Sequence, residues 1–71
     1  MSEILDVRGL PHHERPPLIF SRLAQLKEND TLTLLVEIEP LPMYRILEQR
    51  GYEAKGAKQP EGFWRVLIRK A

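Results

Sequence analysis

The sequence predicts an α/β two-layer sandwich in which a four-stranded mixed sheet carries two helices on one face. Three observations predict it. Two stretches alternate in period two, Thr31 to Glu39 and Phe63 to Lys70, as strands with one buried face do. A third repeats apolar residues at helical spacing, Ile19, Leu23 and Leu26. All six prolines fall between the elements so defined, and none interrupts one. The order is β-α-β-α-β-β in a single domain spanning residues 1–71.

The first strand is read from Glu3 to Arg8, with Ile4, Leu5 and Val7 as its apolar members and Gly9 ending it. Pro11 and the His12-His13 pair form a loop. Pro16 and Pro17 then open the first helix, where a missing N–H removes no intrahelical hydrogen bond. Phe20 and Ala24 lie beside the Ile19, Leu23, Leu26 stripe, and Lys27 to Asp30 is a polar turn.

In the second strand Leu32, Leu34, Val36 and Ile38 point inward, and Thr31, Thr33, Leu35, Glu37 and Glu39 outward. Pro40 and Pro42 break it and open a second helix, Leu41 to Arg50, with Met43, Ile46, Leu47 and Arg50 on one face. Gly51 stands where a left-handed C-terminal cap belongs. Tyr52 to Gln59 contains Gly56 and is expected to be frayed or at an edge. Gln59-Pro60-Glu61-Gly62 has the chemistry of a reverse turn, so a hairpin follows. In the last strand Trp64, Val66 and Ile68 point inward, and Phe63, Arg65, Leu67 and Arg69 outward. A right-handed crossover puts the helices on one side of the sheet and leaves the other face open.

Composition fits this reading. Hydrophobic residues make up 42% and charged residues 30% of 71 positions, the range of a folded domain. A core this small rarely supplies more than about 3–5 kcal/mol of net stability. With no cysteine, neither a disulfide nor thiol chemistry is available. The apolar runs Leu34-Leu35-Val36 and Val66-Leu67-Ile68 are far shorter than a membrane span, and the start MSEILDV has no basic or apolar leader. A cytoplasmic location and no membrane partner are expected. Residues 1–39 carry four basic and seven acidic side chains, and residues 40–71 carry seven and three. The basic residues are spread along the second half, as on a solvated mixed surface, and not clustered.

Two places carry candidate functional residues. A strand feeding a helix N-terminus is a common site of anion binding, and here that loop offers Asp6, Arg8, His12, His13, Glu14 and Arg15. The histidines bear chemistry, but a metal site wants three or four ligands and only Glu14 and Asp6 are close in sequence. Asp6 is expected to accept loop amides and pair with one arginine, fixing the loop. The second place is the open sheet face, with Leu35, Phe63, Arg65, Leu67 and Arg69. Aromatic and arginine side chains there suit a protein interface or base stacking. On an ordinary solvated face, Glu37 would pair an arginine across strands. Nothing has the pattern of a phosphate loop or a Ser-His-Asp set, the only serines being Ser2 and Ser21. No catalytic, metal or cofactor-binding residue is assigned, and no cofactor is expected.

Leu5-Asp6-x-x-Gly9-Leu10, the element order and the closing Leu67-Ile68-Arg69-Lys70 together resemble the TusA/SirA-like sulfur carriers. The resemblance implies the spatial strand order 1-2-4-3. In those carriers a Cys-Pro-x-Pro motif opens the first helix, and its cysteine holds a persulfide. Laid on without a gap, that cysteine falls at His12 and the following proline at His13. A histidine cannot hold a persulfide, so the carrier function does not transfer.

The chain is more closely similar to the uncharacterised, largely cysteine-free domain-of-unknown-function family 2249. The match runs through Leu5-Asp6-Val7-Arg8-Gly9-Leu10-Pro11, Glu14-Arg15, Glu39-Pro40-Leu41-Pro42-Met43-Tyr44, the Leu47 to Gly51 helix end and Trp64-Arg65-Val66. Some members place a histidine after the Glu-Arg pair and Asp-His-Asp before the second helix. Here Pro16 and Glu37-Ile38-Glu39 stand in those places.

The expectation is a small non-enzymatic binding or accessory module with a protein partner. The alternatives are a nucleic-acid-binding module using the open sheet, or a metal or acid–base site at the His12-His13 loop.

Overall fold

The structure is a computed structural model and describes residues 1–71. In chain order its elements are β1 (Ser2–Asp6), a 3-10 turn (His12–Glu14), α1 (Arg15–Ala24), β2 (Thr31–Val36), α2 (Leu41–Gln49), β3 (Tyr52–Lys58) and β4 (Trp64–Lys70). The sheet runs β1-β2-β4-β3, with β1 parallel to β2 and the other pairings antiparallel. This is the expected two-layer sandwich.

The alternation of β2 sets the core. Leu32, Leu34 and Val36 turn to the helix side, where Val66 and Ile68 of β4 meet Ile19 and Leu23 of α1 and Leu47 of α2. Leu5 and Val7 complete the core from the β1 side, and Leu26 closes it just past the end of α1. No charged or polar residue is buried, so apolar packing carries this fold. No helix is long and apolar enough to cross a membrane.

The element ends follow from local chemistry. α1 takes its prolines in its first turn, and Asp30 holds the following loop by accepting from the Lys27 N–H at 2.9 Å. Gly51 stops α2 at φ 87°, in the left-handed region where a β-carbon is strained.

Several side chains lie differently from the sequence reading. β2 stops at Val36 because β4 begins at Trp64, directly opposite it, and Glu37 then turns out of the ladder. Ile38 is therefore not inward but 70% exposed. Ile4 lies on the open face and is 60% exposed. Trp64 keeps the expected helix-facing direction but is only half-buried. Arg50 is the residue that caps α2 and is exposed, with its guanidinium stacked on Phe20 of α1 at 4.3 Å from the ring centre. β3 occupies the sheet edge, as Gly56 suggested, yet all seven of its residues pair with β4.

Candidate functional site

The loop after β1 is tied down by two carboxylates. Asp6 Oδ1 accepts from the Arg8 backbone N–H at 3.0 Å and from Arg8 Nε at 2.9 Å, while Oδ2 accepts from Arg8 Nη2 at 2.8 Å. These bonds, led by the guanidinium, lower the Asp6 carboxyl to about 2. Asp6 thus pairs with one arginine, as expected, but takes only one loop amide, that of Arg8 itself; the Gly9 amide goes elsewhere.

The second carboxylate is one that sequence reasoning misplaced. Glu37 does not pair an arginine across the sheet. It leaves the end of β2 and reaches the loop, taking Arg15 in a two-pronged pair at 2.7 and 3.1 Å and the Gly9 N–H at 2.9 Å. Arg15 Nε also donates to the Leu10 carbonyl at 2.9 Å, so one guanidinium spans both sides of the loop. The Arg15 side chain is only 12% exposed, and an arginine in that setting needs its charge matched. Arg15 and then the Gly9 amide lower the Glu37 carboxyl to about 2. One signal pointed there: β2 lies beside β1 in a β-α-β unit, so the residue after β2 stands next to the loop after β1.

The two histidines take no part in this lock. Both are exposed on the 3-10 turn, and the nearest carboxylate is Glu14, 3.9 Å from His13 Nε2. No group of three or more His, Cys, Asp or Glu side chains is gathered anywhere in the fold. The structure thus brings Asp6 to Arg8, and Arg15 to Glu37, but leaves His12, His13 and Glu14 at the surface.

Beside the locked loop, the N-terminal ends of α1 and α2 flank a groove of about 290 Å³. Pro16, Ile19, Val36, Pro42, Met43 and Ile46 line it, with His12 and Arg15 as its polar members. Ile38 and Leu41, exposed by 70% and 62%, belong to the segment that enters α2, and Ile46 is 41% exposed. A wider depression of about 520 Å³ runs along the β3 edge, but it mixes Glu48 and Glu53 with Lys55 and Arg69 and favours neither sign of charge.

The open sheet face presents the other candidate residues. Leu35, Arg65, Leu67 and Arg69 share it, as the register requires, and Leu67 is 45% exposed while Leu35 is half-buried. Arg69 pairs with Glu53 of β3 at 2.9 Å. Phe63 is not a free aromatic platform: the Arg8 guanidinium lies 4.5 Å from its ring centre.

A family model described as an uncharacterized conserved protein (DUF2249) matches residues 4–70. No curated protein matches the chain. No solved structure matches it either.

Proposed function

We propose a non-enzymatic, protein-binding role for this chain, which belongs to the uncharacterized conserved protein family DUF2249. Its scaffold is read as that of a TusA/SirA-like sulfur carrier, with the persulfide cysteine replaced and the place given over to docking. The observation that carries the reading is the apolar groove between the helix N-termini, where such a carrier would hold its reactive thiol. Here the charged side chains nearest the strand end are already taken, although the two histidines are not. Asp6 is occupied by Arg8, and Glu37 by Arg15 and Gly9. Apart from His12 and Arg15, what lines the groove is aliphatic or proline, and Ile38, Leu41 and Ile46 stand exposed around α2. Exposed aliphatic surface beside a rigid loop suits a partner's apolar anchor, because the docking residues need little ordering on association.

Photo-crosslinking tests this. A photoreactive residue at position 46, placed in native cell extract, is expected to trap a discrete protein, and Leu41→Asp should abolish the adduct while leaving the fold intact. A position-46 probe that traps nothing, or adducts indifferent to Leu41→Asp, overturns the reading.

A further inference from the structure

We infer that the open face of the sheet is a second docking surface, built to take an acidic amphipathic helix of a protein partner. It lies on the opposite face of the sheet from the core and does not depend on the groove.

The register places the apolar residues together. Ile4 pairs with Thr33, and Thr33 with Leu67, so one row crosses β1, β2 and β4; Leu35 lies two residues along β2 from Thr33. Ile4 is 60% and Leu67 45% exposed on a face that no helix of this chain covers. A sheet with apolar side chains on both faces is ordinarily covered on both, and helices are the usual second cover.

Charge names the partner. Asp6 and Glu53, the carboxylates of this face, are both engaged, with Arg8 and Arg69. Lys55, opposite Leu67, and Arg65, opposite Leu35, form no ion pair. After internal pairing, the charge left free beside the aliphatic row is therefore cationic only. A partner carrying leucine-like residues flanked by carboxylates complements both features at once. A single-stranded nucleic acid would use the cations but needs exposed aromatic rings to stack on. Phe63 already carries the Arg8 guanidinium, and Tyr52 and Trp64 pack toward the core.

The test uses the full chain, isotopically labelled for NMR, and a synthetic amphipathic helical peptide of about 18 residues, long enough to cross four strands. The peptide has leucines on one face flanked by glutamates. Its counterparts are the same peptide with lysines for glutamates, and an oligothymidine strand. The glutamate peptide is expected to shift the amides of Leu35, Lys55, Arg65 and Leu67. Binding should weaken about tenfold when Lys55→Glu and Arg65→Glu are combined, and again at high salt. Because both positions are exposed, the thermal melt of that variant should match the parent. Equal binding of the lysine peptide, shifts confined to Met43 and Ile46, shifts from oligothymidine instead, or no shift at millimolar peptide would each overturn the inference.

Discussion

The Tyr44 hydroxyl occupies the space that a side chain on Gly56 would fill: a β-carbon there would stand 2.0 Å from Tyr44 Oη. The phenol reaches from α2 onto the helix-side face of β3 and donates to Glu39 Oε2 at 3.1 Å. Burial, helped by that carboxylate, pushes its ionisation up to about 12. The glycine that weakens β3 as a sequence is thus what lets α2 lie close to it.

Gly56→Ala should therefore destabilise by about 1–3 kcal/mol, the usual cost of overpacking. The backbone at Gly56 needs no left-handed conformation, so the cost comes from the clash and is partly offset by the lower chain entropy of alanine in the unfolded state. Tyr44→Phe removes the hydroxyl and leaves the nearest ring carbon 3.3 Å away, so alanine at 56 should be much better tolerated in that background. Denaturant melts of the two single variants and the double variant measure the coupling.

Leu47 is fully buried and is the one residue by which α2 enters the core completely. Leu47→Ala should cost about 2–5 kcal/mol, and a core of this size rarely supplies more than about 3–5 kcal/mol in all. The expected outcome is a largely unfolded chain at room temperature, visible as loss of amide dispersion in NMR.

Acid should loosen the loop after β1 ahead of the core. The Glu37 carboxyl falls from an ordinary 4.5 to about 2 in the fold, and that of Asp6 from 3.8 to about 2. The folded state then binds fewer protons than the unfolded one over this interval. The stabilisation is complete above the ordinary values and is lost as the pH falls through about 2. The resonance of the Gly9 amide, which Glu37 holds, should move as the pH is lowered across that window, and its protection against exchange, taken relative to the intrinsic rate at each pH, should fall. Glu37→Gln should show the loosened loop already at neutral pH.

Replacing His12 and His13 together by alanine should change stability by no more than about 0.5 kcal/mol, since both side chains are exposed and outside the lock. Arg15→Gln, which releases Glu37 and the Leu10 carbonyl, should lower the melt more than the double histidine change. Adding zinc should not raise the melting temperature of the parent. A zinc-dependent rise would give the histidines a ligand's role.

Without a thiolate the chain should take up no sulfane sulfur. Intact-mass spectrometry after incubation with a cysteine desulfurase and its substrate should show an unchanged mass.

What was legible in the sequence was whatever repeats locally. The alternation of Leu32, Leu34 and Val36, and of Val66 and Ile68, fixed which face is buried, and the prolines and Gly51 marked the joints. Ile38 continued the same alternation on paper but not in space, because the ladder ends where its partner strand begins. Glu37 escaped for a related reason. Its partner Arg15 is 22 residues away, and nothing periodic connects them. The stacking of Arg8 on Phe63 joins the two ends of the chain's fold and has no sequence signature at all.

The sheet order has a consequence for how the chain acquires its shape during synthesis. β4, which leaves the ribosome after the other three strands of the sheet, is an interior strand, held between β2 and β3. β3 has no other neighbour, so it emerges with nothing to pair with until Trp64 to Lys70 follow it. The parallel pair β1 and β2 likewise waits for its antiparallel flank, and parallel pairing is the weaker kind. The nascent chain up to the hairpin turn is thus an unfinished sheet with a missing middle, and it should stay protease-sensitive until the final strand slots in. Stalled chains ending before Trp64, compared with chains extended past Ala71 by a tether, should show that sensitivity vanish in one step.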